Sequence, residues 1–344
     1  MNTFKYLAII FLGIFLYSCG SNSGQKKSDF SIKTNATKGN ISNNETLKLS
    51  IDNKKNHKID SINYVLDGNR IDEQASLQNM KLGKHSIEAS IYFNNEVQKT
   101  TTALTILNSA LTKVYTYNII NEYPHDITSY TQGLEFYNDT LYESTGQYKE
   151  SKLRKVNYKS GEVLKNINLS DEYFGEGLTI LNNKIYQLTW QKGTGFVYDV
   201  NTFEKLSSFK YGNSKEGWGL CNHDNVIYKS DGTENIWLLN KDTLVEESYI
   251  QVYTNKGKIV GINEMEWVNG KIYANRYQKN GVAIINPNNG AVEGVIDFTP
   301  LKSKVTQHKG LDVLNGIAYN PNTKTIFITG KRWDKLFEVE IIEK

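Results

Sequence analysis

The sequence predicts an all-β protein: a five-bladed β-propeller preceded by a small Ig-like β-sandwich domain. Three observations lead there. A hairpin-sized motif recurs five times within residues 108–344 at a period in the mid-forties. Residues 29–107 alternate apolar and polar positions in short runs between turn signals, and no amphipathic run of ten or more residues interrupts either stretch. The 344 residues are 39 % hydrophobic and 22 % charged with a net charge of +3, which excludes a disordered tail and a nucleic-acid-coating protein. Twenty-two tyrosines, thirteen phenylalanines and five tryptophans supply area for a large core, while two cysteines are too few for a disulfide scaffold or a Cys-rich zinc site.

Residues 1–19 read as an export signal. Lys5 precedes an apolar run from Tyr6 to Tyr17, shorter than the roughly 17 to 25 residues of a membrane-spanning helix. The run closes on Leu16-Tyr17-Ser18-Cys19, which resembles a bacterial lipobox, so Cys19 is the expected lipidation site and first residue of the mature chain. Residues 20–28 have the composition of a flexible tether. The acyl chains would hold the protein on a membrane of the bacterial cell envelope, periplasmic or outer-membrane associated. Cys221 is then left without a disulfide partner and reads as a buried small hydrophobe, the alternative being a nucleophile served by His223.

In residues 29–107 the runs 30–32, 47–51, 62–66 and 86–92 alternate with period two, as in a small antiparallel sandwich, and Asp67-Gly68 supplies a tight turn. No cluster of titratable groups appears there, so an accessory role as spacer or docking module is expected.

In residues 108–344 five pentapeptides align: Gln132-Gly133-Leu134-Glu135-Phe136, Glu176-Gly177-Leu178-Thr179-Ile180, Trp218-Gly219-Leu220-Cys221-Asn222, Asn263-Glu264-Met265-Glu266-Trp267 and Asn315-Gly316-Ile317-Ala318-Tyr319. Their first residues are 44, 42, 45 and 52 positions apart. An aliphatic-aromatic pair follows each after a turn signal, in order Asn138-Asp139, Asn182-Asn183, Asp224-Asn225, Asn269-Gly270 and Asn320-Pro321-Asn322. Each unit is therefore a hairpin, and further strands such as 196–200 with 206–209 and 282–286 with 292–296 complete a four-stranded blade.

Equivalent positions of each blade form a ring at one mouth of the channel. Its members are Gln132, Glu176, Trp218, Asn263 and Asn315, and the residues 14 positions on are Gly146, Trp190, Gly232 and Tyr277, with Lys331 at 16 in the last unit. One carboxylate, one ammonium, carboxamides and several rings make a small-molecule site. The same residues also read as solvated turns. Trp237 is off register and belongs to the core, whereas Trp267 and Trp333 suit lining and packing equally. The five histidines show no metal-ligand spacing; a structural calcium on oxygen ligands would leave little spacing signature and stays open.

Seven blocks match a family: Tyr130-Thr131-Gln132-Gly133-Leu134, Phe174-Gly175-Glu176-Gly177-Leu178-Thr179, Leu188-Thr189-Trp190, Glu216-Gly217-Trp218-Gly219-Leu220, Ser230-Asp231-Gly232-Thr233, Asn263-Glu264-Met265-Glu266-Trp267 and Thr329-Gly330-Lys331-Arg332-Trp333. Together they resemble the plant and bacterial type of glutaminyl cyclase, or glutamine cyclotransferase, over Tyr115 to Val339. The resemblance implies a five-bladed propeller that converts the amino-terminal glutamine of peptides or proteins to pyroglutamate with release of ammonia, with no cofactor and without the zinc ion of the unrelated animal-type enzyme. By position it puts the essential carboxylate on Glu176, the lysine on Lys331, and the aromatic and carboxamide pocket on Tyr130, Gln132, Trp190, Trp218 and Asn263. Tyr130 stands where phenylalanine is usual and Tyr277 where tryptophan is, so each departure keeps a ring.

The chemistry suits that inventory. The α-amine must be neutral to attack and the leaving nitrogen must depart as ammonia, so one carboxyl, Glu176, can take the amine proton and return it. Gln132, Asn263 or Lys331 would stabilise the oxyanion. The expected partners are amino-terminal glutaminyl peptides and the membrane through the lipid anchor, with no nucleic acid, and the protein is expected to be a monomer. Two other readings stand beside this one: a non-catalytic peptide- or glycan-binding propeller lipoprotein, and a lactonase-like hydrolase with a divalent metal on Glu176, Asn263 and Glu264.

Overall fold

The computed structural model describes residues 29–344. The export signal with Cys19 and the tether 20–28 lie outside the described residues. The described chain is all-β: beyond strands it holds one six-residue 3-10 helix, Thr299–Lys304, and no helix long and apolar enough to cross a membrane.

Residues 30–107 form two sheets around one apolar core. Phe30–Thr34, Thr46–Asn53 and Gln74–Ser76 make a three-stranded sheet. The other sheet runs in the order Asn40–Ser42, Glu96–Leu107, Gly83–Phe93, Ile59–Leu66, Asn69–Ile71, with the first pair parallel. Leu47 and Leu49 from one sheet and Ile87, Ile91 and Ile106 from the other share the core, because period-two alternation turns every second side chain inward. Asp67 and Gly68 both have positive φ, the requirement of a two-residue hairpin turn. Folding also brings together titratable groups that are scattered in sequence, with His85 Nδ1 2.5 Å from Asp67 Oδ2 and Lys55 Nζ 2.8 Å from Asp29 Oδ1.

The rest of the chain is built from hairpin pairs. Three four-stranded antiparallel sheets follow one another: Thr131–Tyr137, Thr140–Thr145, Lys152–Asn157 and Glu162–Asn168; Gly175–Leu181, Lys184–Thr189, Thr194–Asp199 and Lys205–Lys210; Leu220–His223, Val226–Ser230, Asn235–Leu239 and Glu246–Gln251. The fourth unit is Ile262–Val268, Lys271–Arg276, Gly281–Ile285 and Val292–Asp297; the fifth is Leu314–Asn320, Thr325–Gly330 and Lys335–Glu343. The 3-10 helix lies between these two units and accounts for the longer spacing of the last repeat.

The outermost strand of the fifth unit comes from the other end of this region. Lys113–Pro124 pairs antiparallel with Lys335–Glu343 and, at Lys113 to Tyr115, parallel with Val292–Asp297, merging the last two units into one eight-stranded sheet. The Glu338 carboxylate ties the closing pair, accepting hydrogen bonds from Asn121 Nδ2 (2.8 Å), the Tyr123 hydroxyl (2.9 Å) and Thr325 Oγ1 (2.8 Å).

The five inner strands touch in cyclic order, so the edge strands Ile262–Val268 and Leu314–Asn320 of the large sheet also meet. Being covered on both faces, Thr131–Tyr137 and Gly175–Leu181 are buried along almost their whole length. Five apolar layers fill the spaces between neighbouring units; the first and fifth, for example, share Leu134, Phe136, Phe327 and Leu336. Each such side chain contributes about 1.5–3 kcal/mol on burial. Close approach at the ring explains the motif glycines: a Cβ on Gly177 would lie 2.6 Å from the Gly219 Cα, and one on Gly219 would collide with the Asn263 carbonyl.

Candidate active site

The inner strands aim their ring residues by breaking register. The ladder between first and second strands slips between Thr131 and Gly133, Gly175 and Leu178, Ile262 and Met265, and Leu314 and Ile317. Gln132, Glu176, Asn263 and Asn315 therefore sit at bulges, which turn a side chain out of the pleat. Trp218 stands just before its strand, with its N–H donating to the Ser230 carbonyl at 3.1 Å.

These turns open a cavity of about 270 Å³ lined by Tyr130, Gln132, Gln147, Phe174, Glu176, Trp190, Trp218, Asn263, Tyr277 and Lys331. All eight residues singled out in residues 108–344 are among them. Asn315 stands behind: its Nδ2 donates to the Gln132 Oε1 at 3.1 Å and to the Thr131 carbonyl at 2.9 Å. With its oxygen so engaged, Gln132 presents its NH2 forward, where Nε2 donates to Glu176 Oε1 at 3.0 Å. Gly146 and Gly232 give room to the rings of Phe174 and Trp218.

Burial pushes the Glu176 carboxyl well above the usual carboxylate range; Lys331 opposes the shift and Glu216 adds to it. Burial likewise draws the Lys331 ammonium below the usual lysine range, against Glu176 and Asp312. The Lys331 Nζ lies 4.7 Å from the Tyr130 ring centroid and 5.4 Å from that of Tyr277, and among the described residues it donates no hydrogen bond. Tyr130 is fixed by its hydroxyl, which donates to Asp312 Oδ2 at 2.8 Å. The Asn263 Oδ1 is buried without a hydrogen-bond partner. Among the described residues, no three His, Cys, Asp or Glu side chains converge as a metal site.

Sequence reasoning gave no site role to Phe174 and Gln147. Phe174 was legible, since it precedes Glu176 by the two positions that separate Tyr130 from Gln132. Gln147 lies in a turn at φ 89° and carries no periodic signal. Trp333 is buried in the core, Trp267 stacks on His223 at 4.2 Å between centroids, and Trp237 is buried; none of the three lines the cavity. Cys221 is a buried free thiol, pushed up by burial and by Glu266, Glu135 and Glu264.

Residues 90–341 match the family model for glutamine cyclotransferase. The match begins within Gly83–Phe93, ahead of the Tyr115 at which the motif resemblance starts. The chain is 37 % identical over 227 residues to a glutaminyl-peptide cyclotransferase of Arabidopsis thaliana, covering 65 % of this chain and 70 % of that protein. It is similar to the crystal structure of a Myxococcus xanthus glutaminyl cyclase, with a TM-score of 0.63 and 34 % identity over 68 % of this chain and 99 % of that one.

Proposed function

The chain belongs to the glutamine cyclotransferase family of enzymes, and from that premise we propose that it cyclises amino-terminal glutamine of peptides or proteins to pyroglutamate, releasing ammonia. We read residues 108–344 as a five-bladed catalytic propeller and residues 29–107 as an Ig-like accessory sandwich. The cyclic contact of the five inner strands and the two-sheet core support these assignments. Cys19 is assigned as the lipid anchor of an envelope protein, on its lipobox-like sequence alone.

One observation carries the catalytic reading: a buried carboxyl, Glu176, held by Gln132 in an aromatic cavity that also contains a lysine without a hydrogen-bond acceptor. The rings of Tyr130, Phe174, Trp190, Trp218 and Tyr277 hold the glutaminyl side chain folded on itself, so that the amine meets the amide carbon. As the nitrogen–carbon bond forms, Glu176 takes the amine proton; as the amide carbon–nitrogen bond breaks, Glu176 returns it to the leaving nitrogen, which departs as ammonia. Lys331 is assigned to the oxyanion, because its ammonium brings the cavity a full positive charge that no hydrogen-bond acceptor among the described residues takes up. The unpartnered Asn263 Oδ1 is free to accept a substrate N–H.

The test is incubation of the purified protein with a peptide beginning in glutamine, following ammonia and loss of the free amino terminus with and without chelator. Cyclisation that survives the chelator and disappears in Glu176→Gln, with the melting temperature of that variant retained, is the expected result. A folded wild-type protein that binds the peptide yet releases no ammonia would overturn the catalytic reading in favour of a binding module.

A further inference from the structure

We propose that Glu216 is a positioning residue for the cyclisation, a single carboxylate that clamps the indoles of Trp190 and Trp218 as fixed walls of the cavity. The proposal rests on the cyclase reading of the site. Glu216 lies outside the cavity lining, yet its Oε2 accepts hydrogen bonds from both Trp190 Nε1 (2.8 Å) and Trp218 Nε1 (2.9 Å). Its Oε1 accepts from Gln191 Nε2 at 3.2 Å. An indole N–H can only donate, so two of them converging on one point need an acceptor with spare lone pairs, and a carboxylate makes both bonds charge-assisted.

The clamp is itself anchored. The Glu216 carbonyl accepts from Lys229 Nζ at 2.8 Å and from Ser214 Oγ at 3.2 Å, and Lys229 forms a buried ion pair with Glu246 at 3.0 Å. The next residue, Gly217, donates its N–H to the Trp190 carbonyl at 3.0 Å and lies so near the Tyr211 ring that a Cβ would stand 2.8 Å from its Cζ. The indoles also meet rings, Trp190 against Phe174 at 5.5 Å and Trp218 against Tyr277 at 5.4 Å between centroids. Each indole is thus packed by an aromatic partner and pinned at its nitrogen by the same carboxylate.

Glu216 also acts at a distance on Glu176. The charged and titratable groups that face Glu176 are Lys331, Glu216, Tyr130 and Tyr211, and among them Lys331 favours the ionised carboxylate while Glu216 disfavours it. Beside Glu216 stand Lys229 and the exposed Lys215.

Two variants separate the clamp from the charge. Glu216→Gln keeps an oxygen for the indoles but loses the charge: KM should stay within about twofold of wild type, and the acidic limb of the kcat profile should move to lower pH. Glu216→Ala loses both: KM should rise about tenfold or more, given two charged hydrogen bonds lost. In that variant the indole N–H resonances of Trp190 and Trp218 should move upfield in 1H–15N spectra while those of Trp237, Trp267 and Trp333 stay. Glu216→Ala with wild-type KM and unmoved resonances overturns the proposal. If Glu216→Ala does not fold, Glu216→Gln decides: trading a charged acceptor for a neutral one should also move the Trp190 and Trp218 indole N–H resonances upfield, and unmoved resonances overturn the proposal. A wild-type protein that releases no ammonia defeats the cyclase reading instead, and the clamp is then judged on the two indole resonances alone.

Discussion

Gln132 illustrates how a residue acquires a direction. Nothing in its own chemistry decides which end of the carboxamide faces the cavity; Asn315, donating from behind, decides it, and the NH2 end is left for Glu176. Lys331 is set differently, by two rings and two carboxylates rather than by hydrogen bonds. Because its charge favours ionised Glu176, Lys331→Met should raise the Glu176 pKa, moving the acidic limb of kcat to higher pH, and lower kcat about 10²–10³-fold. A pH–rate series on the folded variant checks both. Register arithmetic could place Gln132, Glu176, Trp218 and Asn263 on one ring and Trp190, Tyr277 and Lys331 on the wall beside it, since both rows depend only on repeat spacing. It could not place the contacts between them: the Asn315 relay and the double indole bond of Glu216 depend on bulges and on side chains from different units.

At the scale of the element, four of the five hairpins were legible because their turns demand special residues. Asn138 and Asp139, Asn182 and Asn183, Asp224 and Asn225, and Asn269 and Gly270 all have positive φ, which few residue types tolerate. The closing strand Lys113–Pro124 had no such mark. It lies outside the repeat, its partner Lys335–Glu343 is more than two hundred residues away, and its half-exposed pattern names no unit. The last strand carries much of the adhesion: Phe337 is fully buried in the layer between the fourth and fifth units. Phe337→Ala should cost about 3–5 kcal/mol in urea unfolding. A loss below about 1 kcal/mol would mean that closure does not depend on that layer.

Seen whole, the molecule encloses charge as well as apolar surface. Glu135, Glu264 and Glu266 project from inner strands and are buried, which pushes all three up, Glu135 to about 7; Glu135 also raises Glu264, and both raise Glu266. An unfolded glutamate titrates near 4.3. For Glu135 a folded-state value above that means that the stability it supplies is complete below about pH 4 and is lost as pH rises from there through about 7. The melting temperature should therefore fall as pH rises from about 4 to about 7, and Glu135→Gln should flatten part of that fall; thermal scans across the range decide it. The two-sheet segment joins the same body: Leu82 donates its N–H to the Asn289 carbonyl at 2.8 Å, Lys81 Nζ donates to the Tyr249 carbonyl at 2.9 Å, and Tyr253 and Ala291 enter its core. This seat was invisible in sequence, because the residues that make it belong to neither repeat nor motif.

The strand that closes the ring also sets a schedule. Gln132 and Glu176 are synthesised early and Lys331 late, and they line one cavity in a fold closed by the pairing of Lys335–Glu343 with Lys113–Pro124. A chain that stalls before Thr325–Gly330 holds the carboxylate but neither the ammonium nor the final wall. Such a fragment lacks part of the cavity lining, so the assembled cavity belongs to finished molecules alone.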